Sequence, residues 1–317
     1  MPRITNPVLQ LILFLTVAFG LAYLIDGTLI IPLASYPLLV PQGVSNEASY
    51  LYWFIGLIIR MYTPFLGVVA VAKLGGIGIK KALIGYGVRG GNVEYILVAI
   101  SIPYMIYGLS VLYAKIVGYP ITNPLRLMPR SGLLGPIDPN ILLVIVLAAS
   151  ALSGATINAL AAFGEEIGWR GFLLHTLSLK LSFYPASIAV GVIWALWHAP
   201  LIVFMGFNYP HHPDVVGITM FILVCSVWSI ILSQLRVLGE SIIPPSVMHG
   251  VINAIGSLML FTIPTIDEIY SSPVGLLGIM SSATVALIIA LLMRAKGKSL
   301  RVKFYASTED TTEDFEY

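Results

Sequence analysis

The sequence predicts an all-α polytopic membrane protein, with about eight transmembrane helices. Three observations predict it. Apolar residues make up 58% of the 317-residue chain and charged residues 10%, with a mean hydropathy of +0.92, outside the range of soluble globular domains. Windows of about 20 residues with few charges, the length that crosses a bilayer core, recur near 7–25, 50–73, 95–116, 141–163, 183–206, 215–235, 241–263 and 272–293. Lysine and arginine then collect in alternate connections, as they do in cytoplasmic loops.

Taken in order, the first window has too long an apolar run for a signal peptide, and no A-x-A-like site follows it. It reads as a retained helix behind a cytoplasmic Arg3. The connection near 26–49 carries acids and no bases, which suits the outside. Arg60 interrupts the second window and must snorkel or find a partner; a substrate carboxylate and an acid of the chain are both open. The stretch from Lys73 to Arg89 sets Ile77, Ile79, Ala82, Leu83 and Ile84 among Lys80, Lys81 and other bases, and is expected along the inner membrane surface. Its glycines lack the lysine-serine or lysine-threonine ending of a phosphate loop.

After the third window, residues 118–140 are rich in Pro and Gly without a helical period, as expected of a cap over the outer face. Lys115, Arg126 and Arg130 are the bases that run against the charge bias. The turn from Asn208 to Asp214 holds His211, His212 and Asp214, which could bind a metal, although its prolines favour a plain aqueous turn. Cys225, the single cysteine, excludes an intramolecular disulfide and reads as a small core hydrophobe. The connection at 264–271 has acids and no bases. Arg294 to Lys303 should sit on anionic headgroups, followed by a disordered acidic run from Glu309 to Glu316.

Residues 1–300 are thus expected to form one membrane-embedded domain, with a motif-bearing core at about 140–260, and residues 301–317 a short charged cytoplasmic tail. Both termini are placed in the cytoplasm; the membrane is the plasma membrane if the source is prokaryotic, the endoplasmic reticulum if eukaryotic. No hydrophilic stretch is long enough for a soluble domain, so any site must be built from the spans.

Three polar patterns interrupt the apolar ones: Glu165-Glu166-Ile-Gly-Trp169-Arg170, Trp194-Ala-Leu-Trp-His198 and His249-Gly-Val-Ile-Asn253. An ionisable side chain within a membrane is costly unless it is paired or faces a wet cavity, so these groups point to one shared interior site. Residues four apart share a helix face, and a glutamate four before an arginine is the favourable orientation for a pair. Glu166 and Arg170 can therefore pair, leaving Glu165 to face the bundle. A carboxyl alone in apolar surroundings holds its proton towards neutrality, the condition for a general base near pH 7. Glu165 is the candidate base.

His198 lies one turn after Trp194, on the same face of the fifth window. His249 and Asn253 set an imidazole and an amide side by side on the seventh, where they could stabilise an oxyanion or simply join helices. Pro244 and Pro245 precede them and loosen the helix start. With the fourth window ending in the cytoplasm at Glu165 and the fifth and seventh starting there, the groups should meet in the inner half of the bilayer.

The glutamate pair with arginine, the aromatic-x-x-x-His and the His-x-x-x-Asn resemble the signature of the CPBP family. That family contains the type II CAAX prenyl proteases, or Ras-converting enzymes, and bacteriocin-processing or immunity proteases. All three motifs match in order and spacing over roughly residues 140–260. Trp194 stands where many members have phenylalanine. The resemblance implies an intramembrane glutamic endopeptidase in which Glu165 and His198 activate a water molecule and His249 and Asn253 hold the oxyanion, with Glu166 and Arg170 in support. It also implies about eight transmembrane helices around a cytoplasm-facing intramembrane cavity; no metal and no cofactor are expected, with zinc as the alternative.

The expected substrate is a membrane-associated or lipidated peptide, cleaved near its C-terminus; membrane lipids are the other partner, and nucleic acid is not one. A zinc-dependent protease using the same glutamate and histidines is the alternative, since His₂Glu is a catalytic zinc ligand set, though no His-Glu-x-x-His element supports it. A serine site of the rhomboid kind fails because Ala151 stands where Gly-x-Ser-Gly needs glycine, and the Gly-x-Gly-Asp segment of aspartyl types is absent. A non-catalytic scaffold or a transporter remains the reading from another class, without the internal repeats that mark many transporters.

Overall fold

The computed structural model describes residues 4–35, 46–126, 137–263 and 267–305. Eight of its helices are long and apolar enough to cross a membrane: Pro7–Leu33, Leu51–Gly75, Glu94–Ile116, Pro139–Ser178, Phe183–Met205, Val215–Leu238, Ile243–Phe261 and Leu276–Ala295. These are spans one to eight. Their starts follow local chemistry. The Asn6 side chain accepts from the Val8 and Leu9 amides at span one, Asp138 from Asn140 and Ile141 at span four, and Asp214 from Val216 at span six, satisfying amides that a helix start leaves open.

Span four is the unusual one. At 1.5 Å per residue its 40 residues would reach about 60 Å, twice a hydrocarbon core of about 30 Å. It is not uniform, because the α-helix widens to π turns at Gly154–Asn158 and again at Ile167–Leu173. Every residue from 164 to 174 is buried. The glutamate pair therefore lies inside the protein, and the expectation that the span ends in the cytoplasm at Glu165 is corrected. The physical reason is the apolar packing beyond the charges: Phe172 sits 4.7 Å from Phe14 and 5.5 Å from Tyr86, ring to ring, so the helix keeps paying back its burial past Arg170.

Span seven touches spans three, four and six. Its approach to span four depends on small residues, which let backbones meet closely in membranes. A Cβ on Gly250 would lie 2.3 Å from the Gly154 carbonyl oxygen and 2.4 Å from the Ala159 nitrogen. Only glycine fits there, and the contact brings His249 against span four.

The two ends of the bundle differ in charge. One gathers Lys73, Lys80, Lys81, Arg89, Lys180 and the run from Arg294 to Lys303. Both described chain ends are there: the Ile4 amide donates to the Leu74 carbonyl at 2.9 Å and the Tyr305 amide to the Gly85 carbonyl at 3.0 Å. The other end carries Asp138, Asp214, Asp267 and Glu268, with Lys115 and Arg126.

At the basic end, the Lys73 to Arg89 stretch contains a short helix, Ile79–Gly85, with Ala82 and Gly85 buried. Residues 301–305 pack onto it: Phe304 lies 5.2 Å from Tyr86 and 5.3 Å from His175, ring to ring, and Arg236 donates to the Tyr305 hydroxyl and the Tyr86 carbonyl, each at 3.3 Å. The acidic run from Glu309 to Glu316 lies outside the described residues. So do Arg130 and the middle of the expected outer cap, whose flank is tied down by the Thr122 amide to the Thr262 carbonyl at 2.9 Å.

Candidate active site

Spans two, four, five, six and seven enclose a cavity of about 420 Å³, lined by Glu165, His198, His249 and Asn253 among others. The polar motifs and the family resemblance nominated these four, and all of them line one space. Trp194 lines it as well, while Glu166 and Arg170 stand behind the wall.

Glu166 and Arg170 share the helix face that their spacing requires. The Arg170 Nη1 donates to Glu166 Oε1 at 2.9 Å, and His249 Nδ1 meets the same oxygen at 2.8 Å. All three side chains are buried. A carboxylate only accepts, so His249 carries its proton on Nδ1 and turns Nε2 the other way. Removing any member would leave buried charge unpaired, the costly outcome for such a cluster.

Trp194 organises the second half of the site. Its Nε1 donates to Glu165 Oε2 at 2.7 Å, its ring lies under the Arg170 guanidinium at 4.4 Å, and its centroid is 5.2 Å from His249 and 6.0 Å from His198. Its carbonyl takes His198 Nδ1 at 3.0 Å. A carbonyl cannot donate, so a neutral His198 keeps its proton on Nδ1 and leaves Nε2 as a free acceptor. Glu165 is thus not a carboxyl alone in apolar surroundings, as the sequence suggested. An indole N–H fixes one oxygen.

The Arg60 question is answered by an acid of the chain. Arg60 Nε and Nη2 reach Asp26 Oδ1 and Oδ2 at 2.6 and 3.1 Å, and Nη2 also donates to the Trp197 carbonyl at 2.6 Å. That carbonyl is free because span five breaks at His198, where Leu201 bonds back to His198 instead of Trp197. The guanidinium sits 3.6 Å from the Trp197 ring centre. Arg60 and Asp26 therefore hold the turn that carries His198. Asp26 was missed in the sequence, although an acid just past the first apolar window is the natural partner for a base inside the second.

Asn253 is exposed to the cavity one turn beyond His249. From the floor formed by Glu165 and His249, the lining rises past Ser257 and Leu260 to Phe207, Asn208, Pro273 and Val274. Those last four lie in the connections at the acidic end. The lining thus runs from the buried charges of span four to the connections that carry Asn208 and Pro273.

Around this mouth, the Asn208 to Asp214 turn is clamped to the turn before span eight. The Tyr209 hydroxyl donates to the Val274 carbonyl at 2.6 Å, and burial pushes that hydroxyl's pKa up. His211 Nδ1 meets Glu268 at 2.8 Å and His212 Nε2 meets Asp267 at 3.0 Å. Ligand atoms of His212, Asp267 and Glu268 lie within 4.8 Å of one another. Asp214 instead caps span six, so the suggested His211, His212 and Asp214 set does not assemble.

Residues 141–255 match the family model for type II CAAX prenyl endopeptidases, described as Rce1-like. A curated relative, CAAX prenyl protease 2 of Methanococcus maripaludis, is 34% identical over 107 residues, which cover 32% of this chain and 39% of the relative. Residues 141–255 hold all three polar motifs, and the match spans well under half of that relative's length.

Proposed function

We propose that this chain is an intramembrane endopeptidase that hydrolyses a peptide bond near the C-terminus of a membrane-associated or lipid-modified peptide. The observation that carries the reading is one cavity lined by a carboxylate, two imidazoles and a carboxamide, in a chain whose residues 141–255 match CAAX prenyl endopeptidases. The relative's name, a prenyl protease, suggests a prenylated peptide as one form of the substrate.

In this mechanism Glu165 and the unprotonated Nε2 of His198 draw a proton from a water molecule as its oxygen attacks the carbonyl carbon. Donation from His249 Nε2 and the Asn253 amide receives the developing oxyanion. With His249 Nδ1 already donating to Glu166, that role calls for the doubly protonated ring. The C–N bond then breaks and the abstracted proton passes to the leaving nitrogen. Preorganisation comes from Trp194 on Glu165, Glu166 on His249, and Arg60 on the turn of His198.

Glu165→Gln and His198→Ala, purified in detergent and assayed on membrane-peptide libraries by mass spectrometry, should each lose about 10²–10⁴-fold in kcat, the usual contribution of acid–base catalysis. Their elution profile and Tm should stay close to the parent's. Normal turnover by either variant sinks the reading. The same preparation should keep its activity under chelation and carry no stoichiometric zinc; zinc at one per chain, with loss on chelation, would instead favour the metal-dependent alternative.

A further inference from the structure

We propose that the basic end of the bundle carries a binding pocket for a phosphate group, set between the end of span six and the segment that follows span eight, with Arg236 at its base. The proposal is independent of the protease reading, because this pocket shares no residue with the cavity of Glu165.

A cavity of about 200 Å³ lies just past the last turns of spans six and eight, where the apolar helices give way to the headgroup region. It is several times the roughly 30 Å³ share of one water molecule, room enough for a phosphate. Its wall is basic. Arg236, Lys298, Arg301 and Lys303 line it, and Ser299 and Asn92 add a hydroxyl and an amide. Among the described residues of the lining Glu240 is the one acid, and it already pairs with Lys303 at 3.3 Å.

Two features separate this pocket from a basic segment that merely lies on a membrane. The first is burial. Arg236 is 1% exposed, yet no carboxylate among the described residues pairs with it. Its guanidinium has only the Tyr305 hydroxyl and the Tyr86 and Lys303 carbonyls, at 3.3 to 3.5 Å, and its Nε has no partner. A buried charge without a counter-charge is costly, and phosphate supplies one in a form that the guanidinium fork and its neighbouring bases match.

The second feature is alternation. Residues 298–305 run without helix. Ser299, Arg301, Lys303 and Tyr305 line the pocket, whereas Leu300, Val302 and Phe304 line only a separate recess beside His175 and Phe183. An extended chain sends successive side chains to opposite sides, so this segment gathers its bases around Arg236 instead of spreading them. At this depth the phosphate belongs to the headgroup of an anionic phospholipid, a known use of basic pockets at helix ends, or arrives free from the aqueous phase.

Binding is measured on the full chain, delipidated in detergent, by native mass spectrometry with phosphatidylglycerol and by calorimetry with inorganic phosphate. We expect saturable binding of one phosphate group per chain. Lys298→Gln/Arg301→Gln leaves the Arg236 contacts in place and should weaken it about 30-fold, the usual contribution of two basic residues beside an anionic group. Lys73→Gln/Lys180→Gln makes the same charge change at the same end but outside the pocket, and should weaken it less than about threefold. Arg236→Gln should abolish binding; because it also releases Tyr305, the comparison of the two surface pairs decides. Lipid held more tightly than inorganic phosphate, and displaced by it, assigns the pocket to a headgroup, while phosphate bound without lipid assigns it to the free ion. Equal losses in the two surface pairs would reduce the site to diffuse charge and overturn the proposal. So would binding of neither probe, or binding that appears only once Glu309, Asp310, Glu313, Asp314 and Glu316 are neutralised, which would make the chain's own acids the occupant.

Discussion

The two histidines of the cavity are held by the same ring nitrogen and yet by different chemistry. His198 Nδ1 meets a backbone carbonyl, that of Trp194, at 3.0 Å, whereas His249 Nδ1 meets a full carboxylate, Glu166 Oε1, at 2.8 Å. Each partner only accepts, so each Nδ1 carries a proton and each Nε2 is free for the substrate. The difference lies behind them. A carbonyl is a fixed dipole of the main chain, but the carboxylate brings a charge that Arg170 must share. In the proposed mechanism one imidazole takes a proton and the other offers one, and the groups behind them, the Trp194 carbonyl and the Glu166 carboxylate, set that difference.

The strongest way to break this contrast is to neutralise the carboxylate. Glu166→Gln keeps the shape but strands Arg170, and should cost about 3–5 kcal/mol of stability, the usual penalty for breaking a buried pair, together with at least ~100-fold in kcat. Because unfolding alone could explain lost activity, the double variant Glu166→Gln/Arg170→Gln separates the two. It should regain much of the Tm and none of the turnover. A double variant that recovers both would reduce Glu166 to a structural anchor.

A milder change sharpens the other side. Trp194→Phe keeps the ring under Arg170 and the carbonyl that holds His198, and removes only the N–H on Glu165. Hydrogen bonds to charged groups contribute about 1.5–3 kcal/mol, so kcat should fall roughly 10- to 100-fold with KM and Tm little changed. Unaltered kcat would make Trp194 a packing residue and leave Glu165 placed by the helix alone.

How much of this was legible in the sequence depends on range. The eight spans were, since hydropathy is a property of each window, and so was the Glu166–Arg170 pair, whose partners are one turn apart. The nomination of Glu165, His198, His249 and Asn253 needed only periodicity and the motifs. What was not legible required knowledge of neighbours. Asp26 and Arg60 are 34 residues apart, and the indole donor on Glu165 belongs to another span. The π turns at Asp26–Ile30 and Ile167–Leu173 are invisible to an argument that assumes 3.6 residues per turn, and both sit beside the buried charges. Nor could hydropathy give the break of span five at His198, which depends on Arg60 taking the Trp197 carbonyl.

The smallest expected effect comes from a third histidine, held like His249 by a carboxylate but in water. His211 is exposed and meets a buried Glu268. The hydrogen bond to Glu268 raises the His211 pKa above the ordinary 6.5, with the Glu268 charge adding to it and Asp267 contributing less. Burial works to raise Glu268, but the His211 contact and backbone donors prevail and hold it below the ordinary 4.5. Asp267 is lowered too, first by the Ile269 amide and also by His212. The histidine's contribution is complete below 6.5 and fades as pH rises through its raised value. The glutamate's is complete above 4.5 and fades as pH falls through its lowered one. The pair is therefore fully formed between 4.5 and 6.5. His211→Gln should lower Tm by about 1–2 °C at pH 5.5 and by less at pH 9, since exposed pairs are weak. An equal loss at both values would assign the effect to shape, and a loss as large as that of Glu166→Gln would mean that burial is not what separates the two carboxylate-held histidines.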